Sequence, residues 1–200
     1  MDVLTTLGRT LGFSFAAGLN LYATVAILGL ASRYGWVDLP PQYRIFDNNV
    51  VIAAALVMYA IEFIADKVPW VDTVWDGIHT AIRPLGGALI AVATLGHASP
   101  TMQGLVALLG GAVAASTHVT KAGTRAVANA SPEPFSNWIL SLAEDAFVFV
   151  LSFITLNYPR VALVVCLVLL VLIGLFFVTI VRAARRWWFS KQQPQVSVPS

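Results

Sequence analysis

Charge is scarce in this chain. Its 12 Lys and Arg and 10 Asp and Glu make up 11% of 200 residues, against about 25% in a soluble domain. So few charges cannot cover a water-soluble globule, and 58% apolar content with a mean hydropathy of +0.78 points to a bilayer as the solvent. The single cysteine, Cys166, excludes a disulfide scaffold or a cysteine-rich zinc site. A net charge of +2 is too slight for nucleic-acid binding. Enzyme signatures are missing too: there is no His-Glu-x-x-His, no Gly-x-Ser-x-Gly and no phosphate-binding glycine loop before Lys-Ser/Thr. Ser116 and His118 lie too close in sequence to share a helix face. Asp76 and His79 offer two metal-type ligands without a third. Neither catalysis nor a cofactor nor a metal is expected.

What is present is a series of charge-free runs, at 10–32, 48–61, 84–120, 146–159 and 161–181. A transmembrane helix needs about 20 apolar residues, so these runs predict an all-α polytopic bundle of about six spans, at 10–32, 49–68, 84–98, 102–121, 138–157 and 160–182. Ser99-Pro100 breaks the longest run at a turn. Asp2 stands where a signal peptide would be basic, so no cleaved leader is expected. Lys and Arg near the span ends favour a cytoplasmic membrane protein with both termini inside. The inside then collects Arg9, Lys67, Arg83, Lys121, Arg125, Arg182, Arg185, Arg186 and Lys191, leaving Arg33, Arg44 and Arg160 outside. Residues 1–183 read as one membrane domain and 184–200 as a basic, polar cytoplasmic tail. Phe46-Asp47-Asn48 before the second span and Phe135-Ser136-Asn137 before the fifth suggest a 3+3 inverted repeat over 10–98 and 102–182; helix capping alone would also explain them.

Several charges fall inside the apolar runs, at about 2.5–3.5 kcal/mol each on insertion scales. Glu62 and Asp66 share a helix face. Glu144 and Asp145 lie inside the fifth span, and His118, Lys121 and Arg125 form one face of the fourth. Asn20 sits mid-span between Gly18 and Tyr22. The expected arrangement is a polar network in the cytoplasmic half, with Glu144 or Asp145 facing Lys121 or Arg125. Asp72, Asp76, His79 and Arg83 form a stripe opposite Val71, Val74, Trp75, Ile78 and Ile82. That stripe predicts an amphipathic interface helix or a re-entrant lid near 70–83, ended by Pro84. Gly86-Gly87 and Gly110-Gly111 with Ala114-Ala115 predict close helix packing.

Three sets of residues carry a family resemblance. They are Gly18-Leu19-Asn20-Leu21-Tyr22-Ala23-Thr24; Asp66-Lys67-Val68-Pro69-Trp70-Val71-Asp72 continuing through Trp75-Asp76 to Arg83-Pro84-Leu85-Gly86-Gly87; and Lys121-Ala122-Gly123-Thr124-Arg125 with Ser131-Pro132-Glu133-Pro134-Phe135-Ser136-Asn137 and Ser141-Leu142-Ala143-Glu144-Asp145. Together they resemble the bacterial membrane-protein family known as domain of unknown function 4126. The match covers most of 13–157 and leaves the last span outside. The resemblance implies an integral membrane protein and brings no activity with it. From the charges, the leading expectation is a small transporter or channel-like protein, forming a homo-oligomer in the lipid bilayer, that moves a small solute, ion or lipid headgroup. Glu62, Asp66, Glu144 and Asp145 would handle protons or cations, while Lys121, Arg125 and His118 would bind an anionic group or balance the acids. Asn20 would supply a midplane contact. The rival expectation is an accessory membrane protein whose charges only hold its helices together.

Overall fold

A computed structural model describes residues 2–129 and 134–191. They form seven α-helices and no strand: α1 (Val3–Leu19), α2 (Leu21–Arg33), α3 (Asn49–Ala65), α4 (Pro69–Leu95), α5 (Pro100–Asn129), α6 (Pro134–Asn157) and α7 (Pro159–Lys191). A short 3-10 helix, Pro41–Asp47, precedes α3.

Asn20 divides the first apolar run. Its backbone is extended (φ −146°, ψ 100°), its N–H closes α1 on Ala16 O, and its side chain caps α2 by accepting from Ala23 N at 2.9 Å. The chain reverses at this point. On the way in, Ser14 meets Gly87 and Gly18 meets Arg83, so α1 runs antiparallel to α4. On the way back, Gly29 of α2 abuts Ile52 and Phe46, and Arg33 pairs with Asp47. At the other foot Asp2 pairs with Arg160, and Val3 and Thr6 share a cleft with Pro40, Arg44, Leu95 and Met102. Both feet of the α1–α2 hairpin therefore lie at one end of the bundle, and its tip is buried inside. The expected span 10–32 is thus a helical hairpin that turns back inside the bundle. Unbroken hydropathy cannot register a reversal at a single residue.

The hairpin's first arm is the axis of the fold. Every residue from Thr10 to Gly18 is buried, as suits a helix that is apolar all round. Small residues let the neighbours close on it. A Cβ on Gly18 would lie 2.4 Å from Ala114 O, and one on Gly110 would lie 2.3 Å from Ala91 Cβ and 2.8 Å from Ser14 Oγ. The expected close packing at Gly110 is present.

Four helices, Pro69–Leu95, Pro100–Asn129, Phe135–Asn157 and Pro159–Ala183, are long and apolar enough to cross a membrane. The 3-10 helix and α3, bent by 51°, make a fifth as a pair. The expected interface helix near 70–83 and the expected third span 84–98 are one continuous helix, α4, with Pro84 inside it. Its stripe is inverted relative to a surface helix: Asp72, Asp76, His79 and Arg83 are buried, whereas Val74, Ile78 and Ile82 are exposed. An amphipathic pattern reads the same whichever face meets the solvent, and here the apolar face is outermost.

The two expected halves are built differently. Residues 10–98 hold the hairpin, α3 and α4, and 102–182 hold three through-going helices. The paired motifs also do different jobs. Asn48 caps α3 through Val50 N, while Asn137 lies within α6 and binds Arg125 and Asp66. Of the expected tail, residues 184–191 continue α7, and 192–200 lie outside the described residues, as do 130–133 of the loop motif. Because α7 starts beside Asp2 and packs along α1, its far end and Asp2 lie at opposite ends of the bundle.

Candidate functional site

The hairpin tip ends α1 with carbonyls that no further turn of helix can satisfy. Two cations meet them: Arg83 Nη1 donates to Gly18 O at 3.3 Å and Lys121 Nζ to Leu19 O at 3.1 Å. Around this point four through-going helices bring their charges together. Glu62 on α3, fully buried, accepts from Arg83 Nη2 at 2.7 Å and from Lys121 Nζ at 3.4 Å. Asp66, which closes α3, accepts from Lys121 Nζ at 3.1 Å and Arg125 Nη2 at 2.9 Å through the same oxygen. Asn20 Nδ2 donates to Asp145 Oδ1 at 3.1 Å, tying the tip to α6.

Arg125 is the densest node. Nε reaches both oxygens of Glu144, at 3.3 and 3.1 Å, and Nη2 reaches Glu144 Oε2 at 2.7 Å and Asp66 Oδ2. Nη1 donates to Asp66 O and Asn137 Oδ1, each at 2.8 Å. Of the two expected acids, Glu144 is the one that meets Arg125; it also lies 3.6 Å from Lys121. Asp145 pairs with Asn20 instead.

The two histidines are fixed by their partners. Arg83 Nη1 lies 2.8 Å from His118 Nδ1 and can only donate, so Nδ1 is bare and the ring proton sits on Nε2. From there it faces Asp76 O and Thr80 Oγ1, both at 3.2 Å. His79 Nδ1 donates to Trp75 O at 2.7 Å, leaving Nε2 to accept from the Tyr22 hydroxyl at 2.9 Å. His118 is therefore an uncharged link to Arg83. Lys121 and Arg125, expected to bind an anionic group or to balance the acids, are engaged by carboxylates and carbonyls of the protein. A cation needs compensation when buried, and the nearby acids supply it.

Nine of the twelve residues expected from sequence thus join one network of hydrogen bonds and ion pairs, Asp72, Asp76 and Arg83 of the 70–83 stripe among them, while Asn20 and Asp145 pair beside it and His79 bonds Tyr22 and Trp75 O. Sequence reasoning missed Asn129, whose Nδ2 donates to Asp72 Oδ2 at 2.7 Å, and Thr80; nothing in their sequence context marks either. Tyr22 and Asn137 stood inside the family motifs without an assigned role. Six carboxylates (Glu62, Asp66, Asp72, Asp76, Glu144 and Asp145) stand against four permanent cations: Arg83, Lys121 and Arg125, which pair with them directly, and Lys67, whose Nζ reaches Ser141 Oγ of α6 at 3.4 Å beside Asp66 and Asp145. Glu62 Oε2, Asp66 Oδ1, Asp72 Oδ1, Asp76 Oδ1 and Asp145 Oδ2 are buried without a hydrogen-bond partner. No group of three or more His, Cys, Asp or Glu placed to hold a metal occurs among the described residues. A cleft of about 680 Å³ lies at the opposite end beside the hairpin's feet and contains none of these groups.

On the helix segments that carry the network the exterior is hydrocarbon: Ile61, Ile64, Val74, Ile78, Ile82, Val119, Ile139 and Leu142 are all exposed. A sheath of this kind around a buried ionic centre defines a polytopic α-helical membrane protein. The chain belongs to the family described as Domain of unknown function (DUF4126), whose model matches residues 7–179. That span takes in most of α7, which the motifs alone had left outside. No curated protein and no solved structure matches the chain.

Proposed function

We propose that the protein is a small transporter or channel-like protein that passes protons or a small cationic solute through the polar centre at the hairpin tip. The surplus of buried carboxylates carries this reading. Six acids against four permanent cations, Lys67 included, leave negative charge that a low-dielectric interior cannot hold alone, so protons or a cation must balance it. A helix broken beside a charged centre is also the arrangement by which transporters build ion sites. Asp145 and Glu62, each with an unpartnered oxygen beside the tip, are the groups assigned to carry the exchanged charge. The end of the bundle holding Lys67 and α7's Arg182, Arg185 and Arg186 faces the cytoplasm on this reading, and Arg33, Arg44 and Arg160 face outward. With five crossings the N-terminus is then outside, contrary to the sequence expectation, and Arg9 moves with it.

The test is proton entry into proteoliposomes holding a trapped pH dye, with a potassium diffusion potential, negative inside, as the driving force. Wild type should admit protons faster than protein-free vesicles, and Asp145→Asn should slow entry at least about tenfold, the factor that 1.4 kcal/mol produces. Proton, sodium and ammonium fluxes all equal to those of empty vesicles would refute translocation. The rival reading, charges as helix ties, is favoured specifically at Arg125, whose three nitrogens all donate to protein acceptors. We assign Arg125 that structural role and keep the exchange of charge for the acids at the tip.

A further inference from the structure

The N-terminal part of α4 and the C-terminal part of α5 leave between them a cleft of about 170 Å³, lined by Asp72, Thr73, Asp76, Gly77, Thr80, Ala122, Arg125, Ala126 and Asn129. The polar chemistry of this cleft is one-sided. Thr73 donates its hydroxyl to Pro69 O at 2.9 Å and Thr80 donates to Asp76 O at 2.9 Å. Asn129 Nδ2 is taken by Pro69 O, Asp72 Oδ2 and Thr73 Oγ1. Arg125 is engaged with Glu144, Asp66 and Asn137. What remains is acceptors alone: Asp72 Oδ1, Asp76 Oδ1 and Asn129 Oδ1 are buried without a hydrogen-bond partner. The nearest cations stand at ion-pair range only, Arg125 Nη1 at 3.8 Å from Asp72 Oδ1 and Arg83 Nη1 at 3.5 Å from Asp76 Oδ1. Asp72 is fully buried and Asp76 is 5% exposed.

A pocket whose donors are all engaged and whose lone pairs are not rejects phosphate and carboxylate groups and accepts a group made only of donors. A primary ammonium, with three N–H bonds and one positive charge, is a donor-only group whose chemistry matches these acceptors. The cleft starts one turn from Pro69, the first residue of α4, and is open between the helices, with Gly77 and Ala126 exposed at its wall. A ligand can thus reach it from the aqueous phase or as the amino headgroup of a lipid. We infer that the α4–α5 cleft is a binding site for a primary ammonium group held by Asp72, Asp76 and Asn129. The inference rests on the cation-translocation reading above for its purpose, and names the chemical class of its cargo.

The test measures binding on the full-length protein, separately from flux. In detergent, ethylammonium chloride would be titrated against tetramethylammonium, sodium and potassium chlorides at equal ionic strength, following the thermal unfolding midpoint. A parallel series would compare nanodiscs of phosphatidylcholine doped with phosphatidylethanolamine or with phosphatidylglycerol. A saturable rise with ethylammonium alone among the salts supports a soluble amine; a rise with phosphatidylethanolamine over the other lipids supports the lipid amine. In either case Asp72→Asn should weaken binding at least about tenfold. Ala126→Leu fills the cleft from its exposed wall without touching the ionic network, and should do the same while the ligand-free midpoint stays close to wild type. If ethylammonium acts no differently from sodium and phosphatidylethanolamine no differently from the other lipids, the site is refuted. Binding that survives both substitutions also refutes it. Proton flux that persists while amine binding fails removes this inference and leaves the translocation reading standing.

Discussion

Replacing Arg125 by alanine tests whether the buried charges are ionised and clamped as the geometry implies. The guanidinium is 1% exposed and joins the end of α3, through Asp66 O and Oδ2, to Glu144 and Asn137 of α6. Without it Asp66 keeps Lys121 at 3.1 Å, but Glu144 keeps only the same Lys121 at 3.6 Å. One carboxylate is therefore stranded. Charge-assisted hydrogen bonds, at about 1.5–3 kcal/mol each, would give an impossible total if summed, because bonds within one network are not additive. The better guide is the cost of breaking a buried ion pair from one side, about 3–5 kcal/mol. Thermal unfolding of the purified protein in detergent, followed by circular dichroism, should show a loss of that size. The scale of about 2–4 °C per kcal/mol for chains of this length then puts the shift near 10 °C. Arg125→Ala with Glu144→Gln should recover about 1–2 kcal/mol, since the stranded charge is gone while the lost bonds are not. Arg186→Ala, on the exposed end of α7, should stay within about 0.5 kcal/mol of wild type. A single substitution costing under about 1 kcal/mol, or a double variant no better than the single, would mean that Glu144 is not held as an anion and that the clamp is misread.

Three further outcomes follow from the packing and topology. Gly18→Ala places a methyl group 2.4 Å from Ala114 O and should cost about 1–3 kcal/mol by thermal unfolding, whereas Gly77→Ala meets no atom within 4 Å and should be neutral or up to about 1 kcal/mol stabilising. Asn20→Leu removes the α2 cap, worth about 0.5–2 kcal/mol, and also strips Asp145 of its amide partner, so it should destabilise more than Asn48→Leu, which removes only the exposed cap of α3. A membrane-impermeant thiol reagent on intact cells should label Leu4→Cys and Tyr158→Cys alike and leave Arg185→Cys unlabelled, with native Cys166 silent because it is buried. Leu4→Cys protected together with Arg185→Cys would restore an even number of crossings and sink the hairpin topology.

The sequence revealed the members of the charged centre better than the path of the chain, and the reason is physical. An ionised side chain inside hydrocarbon is costly wherever the chain runs, so Glu62, Asp66, Lys121, Arg125, Glu144 and Asp145 stood out against their apolar surroundings. Topology has no such marker. The run 10–32 is long enough for one crossing, and a hairpin that is buried by its neighbours needs the same apolar residues as a span. Only Asn20 distinguished them, and it reads equally as a midplane contact. In the proposed topology that one segment decides the parity of the crossings and with it the side of the N-terminus. The α4 stripe failed for a related reason, since periodicity gives a polar face but not what that face meets. Arg83, placed by sequence at the end of an interface helix, is instead fully buried at the hairpin tip.

Break and charges also explain each other. Ending α1 at Leu19 inside the protein strands carbonyls that in hydrocarbon would each cost several kcal/mol, while Arg83 and Lys121 in the same place would be intolerable without acceptors. Gly18 O and Leu19 O meet those cations directly, so each defect relieves the other. Gly18 makes the arrangement possible, because any side chain there would push α5, and Lys121 with it, away from the tip. The acids then outnumber the two tip cations, Arg125 and Lys67. Six carboxylates, five of them with a buried oxygen unpartnered, are more than those cations balance, and the proposed exchange of charge rests on that surplus.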